Sequence, residues 1–282
     1  EIKLRRRSAL EQYAQMLQEK VNYYVYEQYL FFTQWNKLKA YVNGQGIQII
    51  GDIPIYVALD SADTWANPQV FWLDEELKPV CVAGCPPDYF SPTGQLWGNP
   101  LYRWDYLKNT GFRWWIERVA GVMKLYDVLR IDHFRGFEAY YAIPYGEPTA
   151  EHGSWIKGPN MALFDAIKKE LGDLPIIAED LGFLTPEVHQ MLKASGYPGM
   201  KVLQFAFDSD EHNSYLPHQY ERNSVVYIGT HDNDTLKGWI DTASDYSRKF
   251  AKAYLNLTEE EGYHMGFLRA AYGSVADLAV VQ

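Results

Sequence analysis

Asp127-Val128-Leu129-Arg130-Ile131-Asp132 is a short apolar, β-branched run that begins and ends on an acid. Alternation along a strand puts Arg130 and Asp132 on the same face. A helical pattern at 111–126 leads into this run, and a second one at 160–171 follows it and stops at Gly172. The next apolar run, 174–180, closes on Ala178-Glu179-Asp180. Further runs of this kind lie at 47–57, 201–207, 224–229 and 274–281. Strand candidates separated by helices imply parallel βα units. No Gly-rich phosphate turn follows the first run, which argues against an open dinucleotide-binding sheet. Instead, runs end in Asp132, Glu179 and Asp232, and acids at the C-terminal ends of strands are how a βα barrel builds its chemistry. The predicted fold class is therefore an α/β (β/α)8 TIM barrel. Only six of its eight strands are in view.

Composition narrows the function. The 282 residues carry 26 Lys and Arg against 36 Asp and Glu, a formal net charge of −10. With no basic stripe to neutralise phosphates, a nucleic-acid partner is not expected. No apolar run approaches the roughly 20 residues of a membrane span, and no signal-peptide pattern is present. Cys81 and Cys85 are too few for a disulfide scaffold, so a reducing, cytoplasmic setting is the expectation. Aromatic residues make up 16% of the chain. They read either as core and helix packing or as a cleft that stacks sugar rings. Ser8 to Glu11 resembles a capping box that opens a long helix ending near Asn43-Gly44. Thr185-Pro186 predicts another helix start, with Gly196 as its stop.

The acids admit more than one chemistry. Neighbouring barrel strands would bring Asp132, Glu179 and Asp232 close together, and their mutual repulsion would keep one of them protonated. A carboxylate beside a carboxyl is the apparatus of glycoside cleavage. Alternatively, such acids cap loops or pair with Arg130 and Arg135. A metal-dependent hydrolase is the rival reading, but there is no His-x-His, no His-Glu-x-x-His and no second cysteine pair. No Gly-x-Ser-x-Gly elbow suggests a serine hydrolase. The stretch 85–100 is rich in Pro, Gly and aromatic residues, and loops of this kind usually carry function.

Five segments carry a resemblance to a known family: GDIPIYVALDSADTWANP at 51–68, PPDYFSPTGQLWGNPLY at 86–102, LRIDHFRGFEAYYAIP at 129–144, IIAEDLG at 176–182 and GTHDNDT at 229–235. The chain resembles the 4-α-glucanotransferases, or amylomaltases, of glycoside hydrolase family 77 in the α-amylase clan. The resemblance implies Asp132 as nucleophile, Glu179 as general acid and base, and Asp232 as the third acid, holding the ring hydroxyls. It implies that Arg130 orients Asp132, and that Asp52 and His231 bind sugar hydroxyls. Gln95, Trp97 and Asn99 would belong to a sugar-binding loop, with Tyr89 and Phe90 as its acceptor-side platform. Maltooligosaccharides, amylose and glucose are the implied substrates, with no cofactor, metal or obligate protein partner. A plastid stroma would be the alternative location in a plant or alga. The family's barrel has two strands before residue 1 and sequence after residue 282. Residues 1–282 are therefore expected to be a partial catalytic barrel domain with a loop-rich insertion around 58–110. Two alternatives stay open: an α-amylase-type hydrolase using the same acids, and a non-catalytic glucan-binding descendant.

Overall fold

The N-terminal stretch folds as two helices where one was expected: α1 (Arg7–Met16) and α2 (Gln18–Gly44), broken at Leu17. This is a computed structural model that describes residues 1–88, 91–182 and 184–282. The capping box does not form. Ser8 lies inside α1, already past the cap position held by Arg6, and Glu11 instead pairs with Arg7 Nε at 2.9 Å. The chain divides into two compact units, Glu1–Pro175 and Ile176–Gln282.

In the first unit, β1 (Ile50–Ile53) is followed by α3 (Ala62–Ala66), β2 (Cys81–Cys85), β3 (Gln95–Pro100), α4 (Trp104–Asn109) and α5 (Arg113–Met123). Then come β4 (Val128–Ile131), β5 (Ala139–Pro144), β6 (Ser154–Lys157) and α6 (Met161–Leu171). β1 and β4 pair in parallel, with Asp52 beside Arg130. The span 58–110, expected to be loop-rich, supplies β2 and β3 of an antiparallel sheet ordered β3-β2-β5-β6. Gln95, Trp97 and Asn99 thus lie on β3, the edge strand of that sheet. The core is aromatic. Trp115 meets Phe137 at 5.3 Å between ring centroids, and Phe164 meets Phe134 at 5.1 Å and Phe137 at 5.2 Å. All four rings are buried. Asn160 caps α6 with its side chain, and Gly172 ends it at φ 80°, as read from the sequence.

The second unit runs β7 (Ile176–Ala178), α7 (Pro186–Ser195), β8 (Gly199–Val202), β9 (Ser224–Tyr227), α8 (Leu236–Thr242), α9 (Asp245–Tyr254), α10 (Tyr263–Tyr272) and β10 (Leu278–Val280). β8, β9 and β10 form a parallel sheet with β9 in the centre. Phe207 and Phe267 anchor its core with rings 5.8 Å apart. Thr185 and Pro186 open α7 and Gly196 closes it in the left-handed region, but the Thr185 side chain makes no capping bond.

Candidate active site

Arg130 is the centre of the site in the first unit. The β1–β4 register sets Asp52 next to it, and strand alternation places Asp132 on the same face two residues on. Its guanidinium reaches both carboxylates, at 2.5 Å to Asp52 Oδ2 and 3.0 Å to Asp132 Oδ1. The Arg130 side chain is 8% exposed, while those of Asp52 and Asp132 are 43% and 39% exposed. A buried, permanently charged fork thus fixes two acids whose side chains stay partly exposed.

His133 follows Asp132 in the left-handed conformation, at φ 49°. A Cβ on Gly136 would fall 2.7 Å from Ile55 Cδ1 and 2.9 Å from His133 Cδ2, so a larger residue here would press on the ring. Trp97 covers His133 edge-to-face, with centroids 4.9 Å apart. Burial first, and the charge of Arg135 second, lower the imidazole pKa to about 4, so the ring is neutral at ordinary pH. Trp97 Nε1 donates to Gln95 Oε1 at 3.0 Å, which joins two of the predicted sugar-loop residues. The Asn99 side chain turns away and donates to the Val57 carbonyl at 3.0 Å, bracing the loop after β1. Tyr89 and Phe90 lie outside the described residues.

In the second unit, Glu179 directly follows β7 and is buried. Its Oε1 accepts from Leu181 N at 2.8 Å. Asp232 does not sit at a strand end as expected. β9 stops at Tyr227, and Asp232 lies in the turn beyond it. That turn is built by polar side chains: Asn233 Oδ1 accepts from Thr230 N and Thr230 Oγ1, both at 2.9 Å, and Thr230 Oγ1 accepts from Asp232 N at 3.3 Å. His231 Nε2 approaches Asp232 Oδ1 at 3.5 Å, with both side chains about 70% exposed. Among the described residues, no three His, Cys, Asp or Glu side chains are arranged to hold a metal ion.

Sequence reasoning passed over two contributors. His133 was hidden as the neighbour of a stronger candidate, although a histidine directly after a strand-end acid was signal enough. Asp180 was hidden the same way beside Glu179, and burial pushes its carboxyl pKa up.

A family model described as 4-alpha-glucanotransferase matches residues 1–282. The 4-alpha-glucanotransferase of Clostridium butyricum is 56% identical over 99% of this chain and 58% of its own length. That of Thermus thermophilus is 50% identical over 99% of this chain and 57% of its own. The chloroplastic/amyloplastic enzyme of Solanum tuberosum is 46% identical over 99% of this chain and 49% of its own. The chain thus spans about half the length of these relatives. Among solved structures, amylomaltase from Streptococcus agalactiae in complex with acarbose superposes with a TM-score of 0.96 at 43% identity, covering 99% of this chain and 57% of that one. This likeness gives the chain an α/β, TIM-barrel-like fold. The chain therefore belongs to the 4-alpha-glucanotransferase family, glycoside hydrolase family 77.

Proposed function

We propose that the protein containing this chain is a 4-α-glucanotransferase. It moves an α-1,4-glucan segment from a donor maltooligosaccharide or starch chain to the 4-hydroxyl of an acceptor glucan or glucose. The observation that carries this reading is the clamp of Arg130 between Asp52 and Asp132, set by strand register inside a chain of this family.

The chemistry is a retaining double displacement. Asp132 attacks the anomeric carbon while Glu179 gives its proton to the departing glycosidic oxygen, leaving a β-glucosyl ester on the aspartate. Positive charge develops on the anomeric carbon in the transition state, and the anionic Asp132 stabilises it. Glu179, now ionised, takes the proton of the acceptor hydroxyl as that oxygen attacks and the ester bond breaks. Two inversions restore the α configuration. Asp232 and His231 hold hydroxyls of the cleaved unit, and Asp52 adds a further acceptor for them. Gln95 and Trp97, with Tyr89 and Phe90, seat the acceptor sugar. Asn99 supports the loop. An acceptor seated before water can reach the ester makes transfer win over hydrolysis.

The substrates are maltooligosaccharides, amylose and glucose as acceptor. The setting is the bacterial cytoplasm or, as for the potato relative, a plastid. No described helix is long and apolar enough to cross a membrane. Incubating the purified full-length protein with maltotriose tests the reading. Glucose plus a ladder of longer maltooligosaccharides is the expected result. Steady growth of reducing ends without longer products would replace transfer by amylase-type hydrolysis. Glucan binding without turnover would leave a binding protein.

A further inference from the structure

Asp180, the residue after Glu179, is only 6% exposed. Its Oδ1 accepts a hydrogen bond from Met200 N at 2.6 Å. β7 stands outside the β8-β9-β10 ladder, and its Ala178 N donates to Pro198 O, just before β8, at 2.9 Å. One step further along, the connection passes to a side chain: the Asp180 carboxylate takes the place that a strand carbonyl would occupy. Gly199 leaves room for it. A Cβ at residue 199 would lie 2.6 Å from Asp180 Oδ2 and 2.8 Å from Oδ1. On the far side, Glu179 Oε1 accepts from Leu181 N at 2.8 Å, and Gly182 turns the chain at φ 84°. Lys201 Nζ lies 5.9 Å from the Tyr215 ring centroid. Ala178 and Asp180, the residues on either side of Glu179, are therefore both bonded to the chain at the start of β8.

We propose that Asp180 is a positioning residue for Glu179. Its carboxylate, seated against Gly199 and bonded to Met200 N, fixes the backbone from which the Glu179 carboxyl projects. The inference rests on Glu179 being the general acid and base. Such a group has to stand about 2.6–3.2 Å from the oxygen whose proton it carries. A displacement near 1 Å can cost about 10²-fold in rate. Burial raises the Asp180 carboxyl pKa, while the Met200 N–H, Lys201 and His189 act against that rise. Besides Glu179, the other titratable groups near it are Tyr215 and, around an adjoining cavity of about 440 Å³, Lys193 and Glu221.

The test uses the full-length protein and transfer from maltotriose across pH. Asp180→Ala should lower kcat by about 10²-fold, leave KM within about two-fold, and shift the alkaline limb of the kcat profile set by the Glu179 proton. Asp180→Asn keeps an oxygen for Met200 N–H and should recover most of kcat and the wild-type limb. Gly199→Ala provides a second route, because it displaces the carboxyl without removing it; its kcat should fall at unchanged KM even if Asp180→Ala does not fold. Wild-type kcat and limb in folded Asp180→Ala or Gly199→Ala would overturn the proposal. So would equal losses in the Ala and Asn variants that follow only their lowered melting temperatures. Wild-type protein that never elongates maltotriose would instead refute the assignment of Glu179 and the transferase reading with it.

Discussion

The Arg130 clamp of the first unit and the Asp232 turn of the second hold their acids in opposite ways. Asp132 and Asp52 are bound to a buried guanidinium whose position follows from the β1–β4 register, so their geometry is as rigid as the sheet. Asp232 lies on an exposed turn with His231 as its neighbour, and the bonds that shape the turn come from Thr230 and Asn233. A nucleophile gains from being fixed in advance, because misplacement costs rate directly. A carboxylate that binds sugar hydroxyls needs open oxygens, which an exposed turn offers. The contrast predicts that the first group couples stability to activity and the second does not.

Asp132→Asn should produce the largest effect. The amide cannot form the ester, so transfer from maltotriose should fall by about 10⁴-fold or more. Glucan binding measured by calorimetry should persist. Retained transfer in this variant would take the nucleophile role away from Asp132 and end the contrast at its first member.

Arg130→Lys and Asp232→Asn, compared side by side, test the contrast most directly. Lysine loses the planar fork that joins two carboxylates, and Arg130 is buried. Transfer should drop by about 10²–10³-fold and the melting temperature should drop with it, since disturbing a buried ion network costs several kcal/mol, about 3–5 when a partner is removed outright. Asp232→Asn should cut transfer by a similar factor, yet leave stability within about 0.5 kcal/mol, as is usual for exposed positions. A melting temperature that falls equally in both variants would show that the turn is as structural as the clamp.

How far the sequence reached follows the same division. The parallel strands, the acids directly after β4 and β7, and Arg130 beside Asp132 were legible because short apolar runs set between helical patterns are local signals. The antiparallel sheet was not. Ala139 to Ile143 in β5 come a few residues after β4 with no amphipathic helical pattern between them to mark a new element, and β3 is largely exposed and contains Gly98 and Pro100. The place of Asp232 was misread because the apolar run through Ile228 and Gly229 continues after the β9 ladder has ended at Tyr227. The Asp52 partnership could not be read from either strand alone, since a register joins residues 78 positions apart.

Trp97→Ala probes the rim of the rigid half. Uncovering His133 hydrates the ring, so its pKa should rise from about 4 toward the ordinary 6.5, followed by ring-proton NMR across pH. Its sign in stability is fixed by linkage. Between about pH 6.5 and 4 the unfolded chain holds a proton on this histidine that the folded chain does not, so stability falls as pH drops through that window. Trp97→Ala should flatten the fall, and transfer to long acceptors should weaken by about ten-fold as water competes for the ester. An unchanged His133 pKa would mean that the tryptophan does not provide the cover.

The smallest effect belongs to the acid at the other end of β4. Asp127 Oδ2 accepts from Ile49 N and Asn43 Nδ2, both at 2.8 Å, and Lys39 Nζ lies 3.3 Å from Oδ1. These bonds, the Ile49 N–H foremost, hold its carboxyl below the usual range. It fastens the end of α2 to the strand that carries Arg130 but does not reach Asp132. A depressed carboxyl contributes stability that is present above its unfolded pKa, near 3.9, and is lost as pH falls through the folded value. Asp127→Asn should therefore lower the melting temperature modestly at pH 7, and the gap to wild type should close below about pH 4, with transfer kinetics unchanged at neutral pH. A loss of kcat in this variant would mean that the rigid half extends along all of β4, and that the clamp at Arg130 depends on its far end.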